Sequence, residues 1–114
     1  RSYYYPDVML VCDDSDQHPI YKIAPCFIAE VLSPSTATID QREKWLHYRD
    51  IPSLRYYLLV DADHLNARLL TRAGEDRWTE QTLDREDIVE IACGDARLTL
   101  GLDDLYEDTG LLLV

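Results

Sequence analysis

The chain is short of positive charge. Its 114 residues carry 11 Lys and Arg against 22 Asp and Glu, a formal net charge of −11. Non-specific phosphate binding depends on clustered Lys and Arg, so this balance speaks against a protein that coats nucleic acid. A local basic edge on an acidic whole is still compatible with a nucleic-acid substrate. A nuclease of this composition needs divalent cations to neutralise its own carboxylates and the phosphate. Long apolar runs are lacking too: none could span a bilayer, and no basic N-terminal region leads into an apolar signal segment. No membrane partner is expected. The initiator Met is missing, and Arg1-Ser2-Tyr3-Tyr4-Tyr5 already reads as the lead into a strand. The chain is therefore expected to be a fragment of a longer one. No Cys-x-x-Cys pair or His/Cys cluster has zinc spacing. Repeats, low-complexity tracts and interdomain linkers are absent from the pattern. The three cysteines (Cys12, Cys26, Cys93) are an odd number and read as reduced, buried thiols, which favours the cytoplasm. His18, His47 and His64 are scattered and read as surface residues.

What remains suits a single globular domain over residues 1–114, with 46% hydrophobic content. Tyr3 to Cys12 alternates as a strand, with Pro6 near its start or on an edge. Phe27 to Leu32 is apolar on both faces, which predicts a central strand covered on both sides. Ser33-Pro34-Ser35-Thr36 then changes the chemistry to that of a helix start, and Thr38 with Gln41 has capping-box spacing. The helix is predicted from about Ile39 to Arg49, ending before Pro52. Leu54 to Val60 is a third strand. Ala67–Thr71 and Trp78–Leu83 read as a hairpin turning at Ala73-Gly74-Glu75-Asp76. Ile88–Ala92 and Arg97–Leu100 are weaker strands, and Asp103-Asp104 caps a short helix through Tyr106. The fold class is α/β bordering on α+β, a mixed β-sheet flanked by the helix.

One residue breaks the apolar run "APCFIAEVLSPST". Ionised carboxylates are seldom buried without a partner, yet Glu30 sits among Ile28, Ala29, Val31 and Leu32. Asp7 likewise shares a strand face with Met9 and Val11. If the two strands are neighbours, two carboxylates approach one another, and a divalent ion would relieve their repulsion. Asp40, Lys44 and Tyr48 are spaced four apart and line one helix face. If that face looks towards Glu30, Lys44 can place a positive charge beside a water or a phosphate. The opposite stripe of Ile39, Leu46 and Trp45 would then pack down. Taken singly, each residue also has a plain structural reading: an edge Asp, an i,i+4 ion pair, a helix-capping Ser33, a packed Tyr48. Only the combination points to chemistry.

Tyr5-Pro6-Asp7-Val8, then Ile28-Ala29-Glu30-Val31-Leu32-Ser33-Pro34-Ser35-Thr36, then Asp40, Lys44 and Tyr48 resemble the Uma-two family of restriction-endonuclease-like proteins in the PD-(D/E)XK nuclease superfamily. Ile51-Pro52-Ser53-Leu54-Arg55-Tyr56-Tyr57-Leu58-Leu59-Val60-Asp61 resembles the family's stretch after the helix. The resemblance implies a restriction-endonuclease-like core that lacks its first helix and strand. It implies Asp7, Glu30 and Lys44 as catalytic residues. Asp7, Glu30 and the Val31 carbonyl would hold Mg²⁺ or Mn²⁺, with Asp40, Tyr48 and Ser33 in support. The superfamily's Lys usually follows two residues after the acid; here that position is Leu32, and Lys44 on the helix matches the basic residue. The implied activity is metal-dependent hydrolysis of DNA phosphodiester bonds. The alternative is a catalytically inactive nuclease-fold module serving interaction or regulation. A sheet lacking its first elements is also expected to pair at an edge, giving a homodimer.

Overall fold

Pro25 to Leu32 holds seven apolar residues and one carboxylate. Successive strand side chains point to opposite faces, so such a strand needs cover on both. The computed structural model describes residues 8–11, 24–33 and 38–107. Along these run β1 (Val8–Val11), β2 (Pro25–Leu32), α1 (Thr38–Tyr48), β3 (Tyr56–Asp61), β4 (Ala67–Arg72), β5 (Trp78–Leu83), β6 (Ile88–Cys93), β7 (Ala96–Gly101) and α2 (Leu102–Leu105). Five strands form one sheet in the order β1-β2-β3-β4-β5, and β6 pairs with β7 separately. β2 and β3 are parallel; β1–β2, β3–β4, β4–β5 and β6–β7 are antiparallel. A parallel pair cannot be joined by a tight turn, and α1 makes the crossover between β2 and β3. The result is the expected mixed sheet with few helices, an α+β arrangement.

The sheet is covered from both sides. Ile28, Leu54, Tyr57 and Leu59 form one core cluster with Tyr48 of α1, and Trp45 packs against it. Phe27, Ala29, Leu58, Val60 and Leu69 form the other with Ile91, Leu102 and Tyr106. Odd and even positions of β2 and β3 thus serve different cores, which explains their unbroken apolar runs.

Two polar side chains tie the loops down. The hydroxyl of Tyr106 sits against the Asp61 carbonyl, lies 2.9 Å from the Asn66 carbonyl and accepts the Asn66 N–H at 3.2 Å. Burial raises the pKa of that phenol. The Arg72 guanidinium donates to the carbonyls of Leu54 (2.7 Å), Arg49 (3.0 Å), Ile51 (3.0 Å) and Glu75 (2.7 Å). It also lies 4.5 Å from the ring centre of Trp78.

Two expectations are corrected. Leu46 does not pack down; it is 43% exposed, while Trp45 and Tyr48 take the inward side of α1. Lys44 and Tyr48 therefore lie on the sheet-facing stripe rather than opposite it. The cysteines are not all reduced either. Cys26 and Cys93, 67 residues apart, are joined by a disulfide with a Cα–Cα distance of 6.0 Å. Core packing brings the start of β2 to the end of β6, a contact that no sequence spacing encodes. Two of the three cysteines thus give no support for a reducing cytoplasm. Cys12, Asp7, His18 and most of the expected Tyr3–Cys12 strand lie outside the described residues. No helix among the described residues is long and apolar enough to cross a membrane.

The Tyr106 hydroxyl is a buried group with backbone partners, whereas Ile88 is 75% exposed. In urea denaturation, Tyr106→Phe is expected to lose about 1–3 kcal/mol, and Ile88→Ala to stay within about 0.5 kcal/mol of the parent.

Candidate active site

Glu30 is 3% exposed, the buried charged residue among the described ones. Alternation along β2 turns it to the same face as Ile28, beneath α1. Its Oε2 lies 3.8 Å from Lys44 Nζ, whose side chain is 25% exposed. The docking of α1 delivers that contact. Trp45 stacks on Tyr57 with centroids 5.0 Å apart and meets Trp78 edge-on at 4.9 Å. Tyr48, 2% exposed, tilts against Tyr57 at 5.8 Å. Two aromatic anchors one turn apart fix the rotation of the helix, and Lys44 points to β2 as a consequence.

The other expected residues divide. Val31 pairs with Val60 across the parallel ladder and its side chain is 52% exposed, so the strand end beside Glu30 opens to solvent. Ser33 follows β2 and, with Leu32, Asp61 and His64, lines a hollow of about 160 Å³. Leu32, at the usual Lys position, packs with the α1-side core instead. Asp40 belongs to α1, but its side chain is not among those described, and Asp7 lies outside the described residues. The structure thus joins Glu30 to Lys44, with Tyr48 behind Lys44. Among the described residues no three His, Cys, Asp or Glu side chains form a metal-binding group. His47 and His64 are exposed, as expected.

Two features escaped the sequence reading. Asp61 pairs with Leu32 in register at the end of β3. It accepts the N–H groups of Asp63 (2.8 Å) and His64 (3.1 Å), and the Asp63 amide above all holds its pKa below the usual carboxylate value. Its position after an apolar strand was the available signal. The second is a cleft of about 340 Å³ between α1 and the sheet, with Arg42, Trp45, Tyr57, Leu59, Arg68 and Leu70 in its wall. Arg68 sits opposite Leu59, which sits opposite Glu30, so all three share one row of the sheet.

The fold is an α+β mixed sheet with one crossover helix, and it has a solved counterpart. A crystal structure of a putative nuclease belonging to DUF820 from Anabaena variabilis has the same fold, with a TM-score of 0.57 at 19% identity over 75% of this chain and 46% of that one. The chain belongs to the Uma2 family, described as putative restriction endonuclease, which matches residues 1–100. It is 38% identical over 81 residues to the uncharacterized protein sll1609 of Synechocystis sp. strain PCC 6803, covering 68% of this chain and 46% of that one. It is 33% identical over 92 residues to slr1290 of the same organism, covering 80% and 48%. The chain therefore spans about half the length of these relatives.

The Glu30–Lys44 contact is testable by a double-mutant cycle. Glu30→Gln and Lys44→Met are expected to couple by about 1–3 kcal/mol in urea denaturation at pH 7; additive losses would mean that the two side chains do not interact.

Proposed function

We propose that the chain carries the catalytic centre of a metal-dependent endonuclease that hydrolyses DNA phosphodiester bonds. One observation carries the reading: a carboxylate 3% exposed on a central strand, with a Lys ammonium 3.8 Å away, in a chain of a family described as restriction endonuclease. Mg²⁺ and Mn²⁺ take hard oxygen donors. The Glu30 carboxylate and the Val31 carbonyl are such donors on consecutive residues of β2, and they are the ligands we assign to such an ion. Asp7 is proposed as the second carboxylate: it precedes Val8, and Val8 pairs with Ala29, the neighbour of Glu30. A divalent ion bound there supplies charge neutralisation and acidifies its bound water. Lys44 holds its ammonium where it can orient a water and offset the charge that builds on a phosphate oxygen. Tyr48 and Trp45 fix the helix that carries it. Asp40, one turn before Lys44, and Ser33, at the end of β2, take supporting places.

A second reading has its own observation. Lys44 already partners Glu30, and the net charge of −11 disfavours a phosphate backbone. In that case the pair is structural and the domain is a catalytically inactive interaction module.

Plasmid DNA with Mn²⁺ or Mg²⁺ separates the two. Cleavage by the parent is expected, with Glu30→Ala and Lys44→Ala each slower by at least about 100-fold, the scale of one lost electrostatic or general acid–base contribution. Calorimetric titration with Mn²⁺ should show binding that Asp7→Ala removes. Equal cleavage by parent and Glu30→Ala would sink the mechanism. Absent Mn²⁺ binding would favour the interaction module.

We also propose a homodimer paired at a sheet edge. Among the described residues β5 pairs with β4 alone, and Thr79 to Thr82 are exposed on both of its faces. Multi-angle light scattering should give twice the chain mass; a monomer at high concentration would refute this.

A further inference from the structure

The cleft beside α1 is not used by the chemistry assigned to Glu30 and Lys44. It has about 340 Å³ of space, the small end of the range for ligand pockets. Its wall is chemically divided. Trp45 and Leu70 line it over the buried Tyr57 and Leu59, and Gln41, Arg42, Arg68 and Glu80 complete the wall, with two guanidinium groups against one carboxylate. Apolar surface beside an excess of cations suits a ligand that is flat and apolar on one side and anionic on the other. A nucleotide is such a ligand: its base covers aromatic and aliphatic surface, and its phosphate accepts the guanidinium fork.

The placement ties the cleft to the candidate catalytic strand. Glu30, Leu59 and Arg68 occupy one row across β2, β3 and β4, so Arg68 stands two strand spacings, about 10 Å, from Glu30. Lys44 and Trp45 are consecutive on α1: Lys44 meets Glu30, and Trp45 lines the cleft. The cleft takes Gln41, Arg42 and Trp45 from α1 and lies over the middle of β3 and β4. Arg42, Lys44 and Arg68 gather on this face although the chain as a whole is strongly acidic. Arg68 is paired in the same cleft: its Nη1 lies 3.6 Å from Glu80 Oε2. Both side chains are partly exposed, and an exposed pair of this kind is weak, so a phosphate can compete with Glu80 for the guanidinium.

We infer that this cleft binds one unstacked nucleotide of a DNA strand, with Arg42 and Arg68 on its phosphate and the base against Trp45 and Leu70. The inference rests on the endonuclease reading and narrows its substrate. A nucleotide inside a regular duplex must leave the stack to enter such a cleft, and that extrusion has a cost. Single-stranded or locally opened DNA is therefore the preferred substrate.

The test is fluorescence anisotropy of the full chain in EDTA, where no cleavage occurs. The probes are a labelled 12-nucleotide single strand of mixed sequence and its blunt duplex. The single strand is expected to bind at least about tenfold tighter than the duplex. Arg42→Ala with Arg68→Ala should weaken single-strand binding about tenfold and reduce the salt slope by about 1.4, two phosphate contacts at about 0.7 each. Glu80→Gln should tighten it, because it removes the competing carboxylate. Equal affinity for the duplex, unchanged binding by the double variant, or displacement by dAMP as effective as by unlabelled strand would each overturn the inference. Binding that persists while the parent cleaves nothing would remove the endonuclease reading and leave the cleft. Cleavage indifferent to Arg42 and Arg68 would do the reverse.

Discussion

The structure is governed by a carboxylate held in a strand that is covered on both sides. A charged carboxyl group taken out of water is costly unless a partner stands close. In this chain the partner comes from α1, so the helix must dock at one rotation and one height. Trp45 on Tyr57, Tyr48 beside it and Trp78 at the edge fix both. The same helix closes the parallel β2–β3 pair, so the topology of the sheet and the polarity of its centre are satisfied by one element. A different crossover would leave Glu30 without Lys44.

Much of this was legible in the residues. β2 betrayed itself by being apolar at odd and even positions, and the hairpin of β4 and β5 by its turn residues. Glu30 stood out because nothing around it was polar. Helix spacing placed Lys44 and Tyr48 on one stripe. Which stripe faced the sheet was not legible, because Leu46 is as apolar as the residues that do pack, and Trp45 carries more surface than periodicity counts. The link from Cys26 to Cys93 was illegible for another reason: it depends on where β6 is laid across the sheet, and spacing along the chain holds no record of that. Nothing in spacing singles out Arg42 and Arg68, since only the register that aligns Arg68 with Leu59 and Glu30, and the docking of α1, give them a common place.

Chemistry follows from how these layers meet. The α1 side of the sheet holds the buried ion pair and the cleft; the opposite side holds the disulfide, the β6–β7 hairpin and Tyr106. Proposed function and structural fastening are thus divided between the two faces. The fastening side reaches the other through β3, whose Leu58 and Val60 belong to one core while Tyr57 and Leu59 belong to the other. About half the length of the Synechocystis relatives lies beyond the match with this chain.

Arg72 carries a lesson about reading charge from composition. It counts as one of 11 basic residues, yet its guanidinium faces four backbone carbonyls and an indole. In effect it is a solid-state component, a cationic rivet through the chain that leaves α1. Its unit charge still counts in the field around the molecule, but four of its five N–H donors are spent on the chain's own carbonyls. An approaching polyanion can feel this cation without finding the fork that would grip a phosphate. Attraction at a distance and purchase on contact are thus assigned to different basic residues.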